Sequence, residues 1–509
     1  MDDKNLDYRH PLYKANLGRW NYYRSSYLGG FDYRFASLGM LRKYLFEDDA
    51  PGNQYLQRLD YTALDNIVKL TVDTYRSFLF RAKPIRTFGM LQGDPFISKF
   101  LEDVDLSTGK DFDDFMKEAN DQATIYGNVW ILCTKGQMEG ITTREQELEN
   151  DIRPYLKLFT PENVLDWKYM TFPNGAEKLV YVKTREWIGE DYDKVIEWSM
   201  DRITISYVLD GEITGQDIYY NPINEIPFVV HYANPSQYKG IGMSDIADVA
   251  KIQQAIFNLL SEAEQGVRVS NHPTLVKTQD VSATAGAGSV INMESSQDPG
   301  LKPYLIEPSG TNINSIVEMI KMHLESFLRM THLGAIMAAK GLSVKSGIAL
   351  ATEFEMLNTR LADKSAKMEA TEWNIWKLWF LWSGQEMPDD FNIEYQKTFD
   401  LRDEHADLAL LAQALKVMIP SPTFQREMHK QIAKIVVEDG DKLNDIFDEI
   451  DEVQGGSEEH PMTDRTNREP HIHKMLMDGL SDQQMLDLHP EITEADIQSA
   501  KKTLVEGNN

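Results

Sequence analysis

The order of elements between Ser244 and Gly384 constrains the fold of this 509-residue chain more than any other feature. A long amphipathic helix is predicted first, followed by a short glycine-rich insertion of β type and a second amphipathic helix. A loop rich in glycine, alanine and lysine comes next, and a very long helix closes the run. Two helices that leave a body and return to it, with a small module between them, predict a projecting hairpin. Such an element is unstable alone, and it favours a ring assembly over a catalytic pocket.

Both helices carry apolar side chains at steps of three and four residues, which predicts one buried stripe on each. The stripes are Ile246, Val249, Ile252, Ile256, Leu260, Ala263 and Val267 in the first helix, and Ile313, Ile316, Ile320, Leu324 and Phe327 in the second. Ser244 is the expected N-cap of the first helix. One hairpin cannot bury both stripes, so we expect neighbouring subunits to complete the packing, with Ile256 and Ile320 as packing residues.

The connections on either side of the second helix differ in character. Before it, residues 274–278, 288–293 and 302–308 are predicted as short strands, with a flexible turn at 285–288. After it, residues 333–345 form a loop that contains Lys340 and Lys345 but only scattered apolar residues. Ser346 is then the expected N-cap of the long helix. Tryptophans follow at three-residue steps and predict a core stripe: Trp373, Trp376, Trp379 and Trp382.

Composition indicates a large protein with sizeable cores. Hydrophobic residues make up 42% of the chain, and its length predicts three or more modules. We expect no signal peptide and no membrane span, since no apolar run reaches about 18 residues. A single cysteine, Cys133, excludes an internal disulfide framework and a thiolate metal cluster. A net charge of −28 argues against a protein that binds nucleic acid over its whole surface, but it is compatible with nucleic acid that moves along the protein without binding tightly.

The remaining regions change in pattern along the chain. Residues 1 to about 130 are predicted to be mostly helical, with 61–80 as the clearest helix. From residue 128 to 232 the pattern predicts strands, with hairpin turns at Asn174-Gly175 and Asp210-Gly211. The strands are predicted at 129–133, 156–159, 178–183, 195–200, 203–209 and 227–232. Beyond residue 400 the chain is again helical and acidic.

In this order of elements the chain resembles the portal proteins, the head-to-tail connectors of tailed bacteriophages. The resemblance covers roughly residues 10–450. It rests on the order of four features: residues 234–235 and 240–244 that lead into a helix, the β module, the return helix, and the segment 345–350, Lys-Ser-Gly-Ile-Ala-Leu. It implies an α+β portal fold made of a mixed wing, a two-helix stem, a small β clip, a tunnel loop, a long wing helix and a helical crown. The implied divisions are 1–243 (wing, β-rich from about 128), 244–270 (stem), 271–310 (clip), 311–331 (stem), 332–346 (tunnel loop), 347–400 (long wing helix and return) and 401–509 (crown and C-terminal module).

The resemblance also implies a function. Portal proteins form dodecameric rings at one capsid vertex, and double-stranded DNA passes through their channel during packaging and ejection. The implied partners are further copies of the chain, the terminase large subunit, a head-completion or tail adaptor protein, and the major capsid protein. The implied location is the virion after assembly in the host cytoplasm, with no membrane partner. Lys340 and Lys345 are the candidates for weak DNA contacts in the channel.

The alternative left open by the residues is a metal-dependent hydrolase that uses acidic clusters together with His471 and His473. Sequence patterns favour it less, because the segment around Gly109-Lys110 lacks the first glycine of a P-loop and no His-Glu-x-x-His pair is present. We therefore expect no catalytic residue, no metal and no cofactor. Residues 475–504 resemble a small trihelical module of some bacterial antitoxin-like proteins, although a plain helical extension of the crown is the favoured interpretation.

Overall fold

The computed structural model describes residues 8–36, 39–44, 47, 54–136, 143–189, 192–271, 274–276, 304–306, 311–334, 347–399, 421–437, 440–455, 497–498 and 501. It contains both helices and antiparallel sheets, which confirms the predicted α+β class. The chain divides into two compact units, Met1–Asp400 and Leu401–Asn509.

The first unit begins with seven helices: α1 (Pro11–Leu28), α2 (Gly30–Arg34), α3 (Gln54–Tyr61), α4 (Ile67–Leu79), α5 (Pro95–Glu102), α6 (Phe112–Tyr126) and α7 (Arg144–Glu149). The helix predicted over 61–80 is confirmed only from Ile67 to Leu79. The side chain of Asn66 accepts a hydrogen bond from Lys69 N at 2.8 Å and starts α4 as an N-cap, so residues 62–66 separate two helices.

Two antiparallel sheets are built from strands that begin between α6 and α7. The three-stranded sheet has the order β3–β2–β9, with β2 (Asn128–Lys135), β3 (Pro154–Phe159) and β9 (Phe228–Tyr232). The five-stranded sheet runs in sequence order and contains β4 (Val164–Thr171), β5 (Glu177–Gly189), β6 (Tyr192–Ser199), β7 (Arg202–Leu209) and β8 (Glu212–Tyr220). The predicted turns at Asn174-Gly175 and Asp210-Gly211 are confirmed, and they join β4 to β5 and β7 to β8. A two-stranded ladder pairs β1 (Ile85–Thr87) with β12 (Asn392–Glu394).

A hairpin of two helices projects from these layers in the chain order predicted for it. Helix α8 (Ala247–Asn271) leads to β10 (Thr274–Val276), and β11 (Tyr304–Ile306) leads back into α9 (Thr311–Thr331). The strands β10 and β11 pair antiparallel, with Leu275 opposite Leu305. Helix α8 is therefore about 37 Å long at 1.5 Å per residue. The third predicted strand, 288–293, lies outside the described residues.

The long helix α10 (Gly347–Ser383) closes the first unit and supplies much of its core. Trp376, Trp379 and Trp382 are buried, together with Phe88 and Phe100 from the N-terminal region. Trp373 is 45% exposed, contrary to the expected core stripe. Three-residue steps fall short of a full turn by about 60°, so a run of four tryptophans cannot stay on one face.

The second unit is helical where the structure describes it. Helix α11 (Pro422–Val436) and helix α12 (Gly440–Gly455) pack on each other, and Lys430 Nζ lies 2.7 Å from a carboxylate oxygen of Asp451. Ala433 and Leu443 are buried. In the described part of the chain, no helix is long and apolar enough to cross a membrane.

Candidate self-association surface

The hairpin has an inner surface that its own chain buries. Near its tip, the backbone of Gly266 on α8 faces the side chain of Ile313 on α9, so the two helices run antiparallel and close together. Ile320 and Leu324 of α9 pack against the main core cluster, which includes Phe327 and Ile256. Most of the apolar stripe predicted from the sequence therefore faces the other helix and the body, although Val267 near the tip is 42% exposed.

The two residues predicted to pack between subunits lie in different environments. Ile256 is 1% exposed in the single chain, whereas Ile320 is half-buried at the edge of the same cluster. Ile256 needs no neighbour to be shielded from water, because α8 also packs against the N-terminal helices α3 and α4. At the base of α8 the rest of the same chain therefore completes the packing that was expected from a neighbouring subunit.

A second apolar stripe on α9 remains in contact with solvent. Met319, Met322 and Met330 recur at steps that keep them on one face, about a third of a turn from Ile320. Met322 is 53% exposed, and the other two are also exposed. Ser326 completes the face and lies 3.8 Å from Met330 Sδ. We call these four residues the methionine stripe.

The base of the hairpin is fixed by a buried ionic cluster around Asp245, just before α8. One carboxylate oxygen lies 2.5 Å from Lys364 Nζ and the other lies 3.0 Å from an Arg360 nitrogen, both on α10. Asn234 donates a further hydrogen bond of 2.8 Å to Asp245. Lys364 also donates to Thr124 Oγ1 at 3.1 Å, so the cluster joins α6, α8 and α10.

The same cluster holds the C-terminal end of α9. Arg360 donates a hydrogen bond to the carbonyl oxygen of Met330 at 3.3 Å, and Tyr75 donates to that of Thr331 at 2.8 Å. These bonds satisfy carbonyl groups that a helix end leaves unpaired. Both ends of the hairpin are therefore tied to one buried site.

Electrostatics at this site follow from burial and charge. Burial alone would raise the pKa of Asp245, but Lys364 and Arg360 outweigh it and hold the pKa well below its usual range. Next to the cluster, burial and, to a smaller degree, the charges of Lys364 and Lys367 lower the pKa of His231 to about 3. His231 Nδ1 lies 2.8 Å from Thr371 Oγ1 and is neutral at pH 7.

Other predicted site residues lie outside the described part of the chain. They are Lys340 and Lys345 of the loop, and His471 and His473 of the alternative metal site. Within the described residues, no group of three or more histidine, cysteine or acidic side chains could hold a metal ion. Cys133 is buried, and burial raises the pKa of its thiol.

Sequence reasoning missed the Asp245 cluster. Arg360 and Lys364 stand four residues apart, a spacing that places both on one face of a helix. That signal was available in the sequence, but Asp245 is more than a hundred residues away. Its pairing with these cations depends on the tertiary fold alone.

Two solved structures share a limited likeness with the chain. One is the neck of an empty gene transfer agent particle with C6 symmetry, at 9% identity and a TM-score of 0.44. The other is the virion of a native gene transfer agent particle, at 10% identity and a TM-score of 0.42. Each alignment covers 75% of this chain and 94% of the other. No family model and no curated protein sequence matches the chain.

Proposed function

We propose that this chain is the subunit of a portal-type ring that conducts double-stranded DNA through a capsid vertex. The observation that carries the proposal is the hairpin, whose inner face is buried by its own chain while the methionine stripe stays exposed on α9. Exposed methionines on one face of a helix favour contact with another protein surface, because the flexible thioether adapts to many shapes.

A ring is the assembly that such a hairpin favours. The methionine stripe occupies one flank of α9, and α8 occupies another flank of the same hairpin. A contact between two different flanks is heterologous, so it repeats from copy to copy and closes if the rotation allows. The stem (244–270 and 311–331) would then line the ring, with the clip (271–310) at one end. Twelve copies is the number implied by the resemblance to portal proteins.

Charge is consistent with a channel through which DNA moves without sticking. Each copy adds a formal charge of −28, and a wall of that sign repels phosphates. Lys340 and Lys345, in the proposed tunnel loop 332–346, would supply a few weak contacts in that setting. Replacing both with alanine should alter DNA packaging or retention in the virion while the ring stays intact. Unchanged length and retention of packaged DNA would contradict this role.

The ring would depend on a separate motor. DNA packaging works against repulsion and bending, and the sequence has no phosphate-binding loop that could use a nucleotide. We propose that the terminase large subunit docks on the clip during packaging and that a head-completion or tail adaptor protein replaces it afterwards. The wing (1–243 and 347–400) and the crown (401–509) would face the major capsid protein and the interior of the virion. Deleting residues 282–289 should impair docking of the motor without dissolving the ring.

Electron microscopy of the purified full-length chain tests the proposal. We expect closed rings whose central opening is wide enough for duplex DNA, and no ATP hydrolysis by the same preparation. ATPase activity that survives stringent purification, or particles without a central opening, would overturn the proposal.

A further inference from the structure

The N-terminal region of this acidic chain has the opposite charge to the rest. Residues 8–46 carry seven lysine or arginine residues and one acidic residue, Asp32, whereas the whole chain has 52 basic and 80 acidic residues. Helix α1 contains no acidic residue. Charges more than about 8 Å apart are largely screened at physiological salt. A local excess of cations can therefore attract an anion although the chain as a whole carries −28.

Two clefts lie side by side where α1 and residues 39–42 pack against the base of α8. One has a volume of about 380 Å³ and is lined by Arg19 and Lys251. The other has a volume of about 470 Å³ and is lined by Arg42 and Lys251. Gln254 also lines both, so the clefts adjoin along one face of α8. None of the described residues that line either cleft is acidic.

The three cations of the clefts are exposed side chains without a carboxylate partner. Arg19, Arg42 and Lys251 form no ion pair with any acidic residue in the part of the chain that the structure describes. Lys251 Nζ lies 4.5 Å from the centre of the Tyr22 ring, a contact that orients the ammonium group without neutralising it. The charge of all three side chains is therefore available to a ligand.

The charged neighbours of the clefts do not cancel this excess. Two exposed carboxylates, Asp248 and Glu262, stand one turn of α8 beyond the lining residues, one at each end. Two exposed lysines stand equally near: Lys14 is one turn before the lining residue Gly18 on α1, and Lys43 follows Arg42. The neighbours balance each other, so the clefts stay positive.

The backbone beneath the cations is held in place by side chains of α8. Asn258 Oδ1 accepts a hydrogen bond of 2.7 Å from Arg42 N. The amide groups of Gln254 and Asn258 donate to the Met40 carbonyl oxygen at 3.2 and 3.1 Å. The segment that carries Arg42 is thus fixed on the helix that carries Lys251. Because the cations are positioned in advance, binding an anion costs little ordering of the chain.

The character of the surface favours the phosphodiester backbone of nucleic acid as the ligand. A guanidinium group matches a phosphate with two parallel hydrogen bonds, and an ammonium group adds a point charge. A protein partner would bury large apolar side chains at the centre of its contact. None of the exposed large apolar side chains in the described residues lines either cleft. Tyr22 and Tyr23 are half-buried, so they offer no open ring for unpaired bases, and a duplex is favoured over a single strand.

We propose that the two clefts bind the phosphodiester backbone of duplex DNA, with Arg19 and Arg42 each on a phosphate and Lys251 between them. This surface is separate from the proposed tunnel loop, and the inference does not depend on the closure of a ring. Contacts to phosphates carry no sequence information. We therefore expect the same affinity for duplexes of different sequence and a strong dependence on salt.

Fluorescence anisotropy of a short labelled duplex with the full-length chain, at several salt concentrations, tests this proposal. All variants are made in a Lys340→Ala, Lys345→Ala background, which removes the contacts proposed for the loop. Arg19→Glu, Lys251→Glu should weaken binding by about tenfold or more and flatten the slope of log affinity against log salt by about 1.8, because two phosphate contacts are lost.

The matched control makes the same change of net charge on other surfaces. Lys178→Glu, Lys377→Glu reverses two exposed lysines of β5 and α10 and should weaken binding by less than about twofold. All four substituted side chains are exposed, so both variants should keep the unfolding temperature of the background chain. Equal binding by the two double variants would overturn the proposal.

Further arms separate the duplex from other ligands. Polyglutamate that competes as well as unlabelled duplex would show recognition of protein carboxylates, and anionic phospholipid vesicles that bind in place of DNA would show recognition of a lipid headgroup. Either result would overturn the proposal. Loss of oligomers together with loss of binding in Arg19→Glu, Lys251→Glu would assign the surface to a contact between copies and would also overturn it.

The failure of this inference can be distinguished from the failure of the proposed function. DNA binding that disappears with Lys340 and Lys345 alone would overturn the clefts and leave the DNA channel standing. Binding that depends on Arg19 and Lys251 in a chain that forms no ring would support the clefts and contradict the ring.

Discussion

The base of the helical hairpin and its outer face differ in how far their charged and apolar side chains are buried. At the base, Asp245 and Lys364 are almost completely buried and satisfy each other, while Ile256 is sealed in the core. On the outer face, Met322 is half exposed and Lys321 pairs with Glu318 in water at 2.9 Å. The base therefore stabilises the subunit, whereas the outer face is exposed and is the surface on which we propose that a neighbour packs. Substitutions at matched positions should separate the two roles.

The largest effect is expected at Asp245. Asp245→Asn leaves Lys364 and Arg360 buried without a counter-charge, which should cost about 3–5 kcal/mol in the free energy of unfolding. Its control on the outer face, Glu318→Gln, breaks a solvent-screened pair and should cost less than about 1 kcal/mol. Chemical denaturation of both variants measures the contrast. Equal losses would contradict the separation of roles.

Of the two isoleucines of the hairpin, the buried Ile256 should contribute more to the free energy of unfolding than the half-buried Ile320. Ile256→Ala opens a cavity in the core and should cost about 2–5 kcal/mol. Ile320→Ala removes a half-buried side chain and should cost about 1–2 kcal/mol. Ile256→Asp would therefore unfold the subunit before any effect on assembly could be measured. Ile320→Asp is the more informative test of packing between subunits. A larger loss for Ile320→Ala than for Ile256→Ala in urea denaturation would refute the packing described for α8.

A smaller, pH-dependent effect is expected at His231, beside the base. Its pKa is about 3 in the folded chain and about 6.5 in the unfolded chain. Below pH 6.5 the unfolded state therefore binds a proton at His231 and the folded state does not. Stability is thus lost as the pH falls from about 6.5 towards 3. Between pH 7.5 and 5.5 the wild type should lose about 1.4 kcal/mol relative to His231→Gln. A constant difference between the two proteins would show that His231 titrates normally when folded.

The smallest effect on the subunit is expected at the methionine stripe. Met322→Glu places a charge in water and should change the free energy of unfolding by no more than about 0.5 kcal/mol. Thermal unfolding of a non-assembled preparation measures it. A large loss would mean that the stripe is part of the subunit's own core.

Sequence patterns located some of the regular elements whose apolar residues are buried on one face, although they missed β4. Ile256 and Ile320 belong to stripes that identified α8 and α9, and the Asn-Gly and Asp-Gly pairs located two hairpin turns. The edge strand β8 was missed because it is exposed along most of its length and has no apolar alternation. The Asp245 cluster was missed because sequence spacing carries no information on a pairing between distant helices. Both stripes were predicted to complete their packing against neighbouring subunits, whereas the assembly surface that we propose is the methionine stripe, which is recognised only by its exposed side chains.

Native mass spectrometry of the full-length chain and of its Met322→Glu variant tests the central claim most directly. We expect the wild type to form a closed oligomer of one defined size, twelve copies by the resemblance to portal proteins. The variant should be monomeric at the same concentration while keeping the wild-type unfolding temperature. A monomeric wild type, or a variant that assembles as the wild type does, would contradict the claim that the outer face of the hairpin joins neighbouring copies.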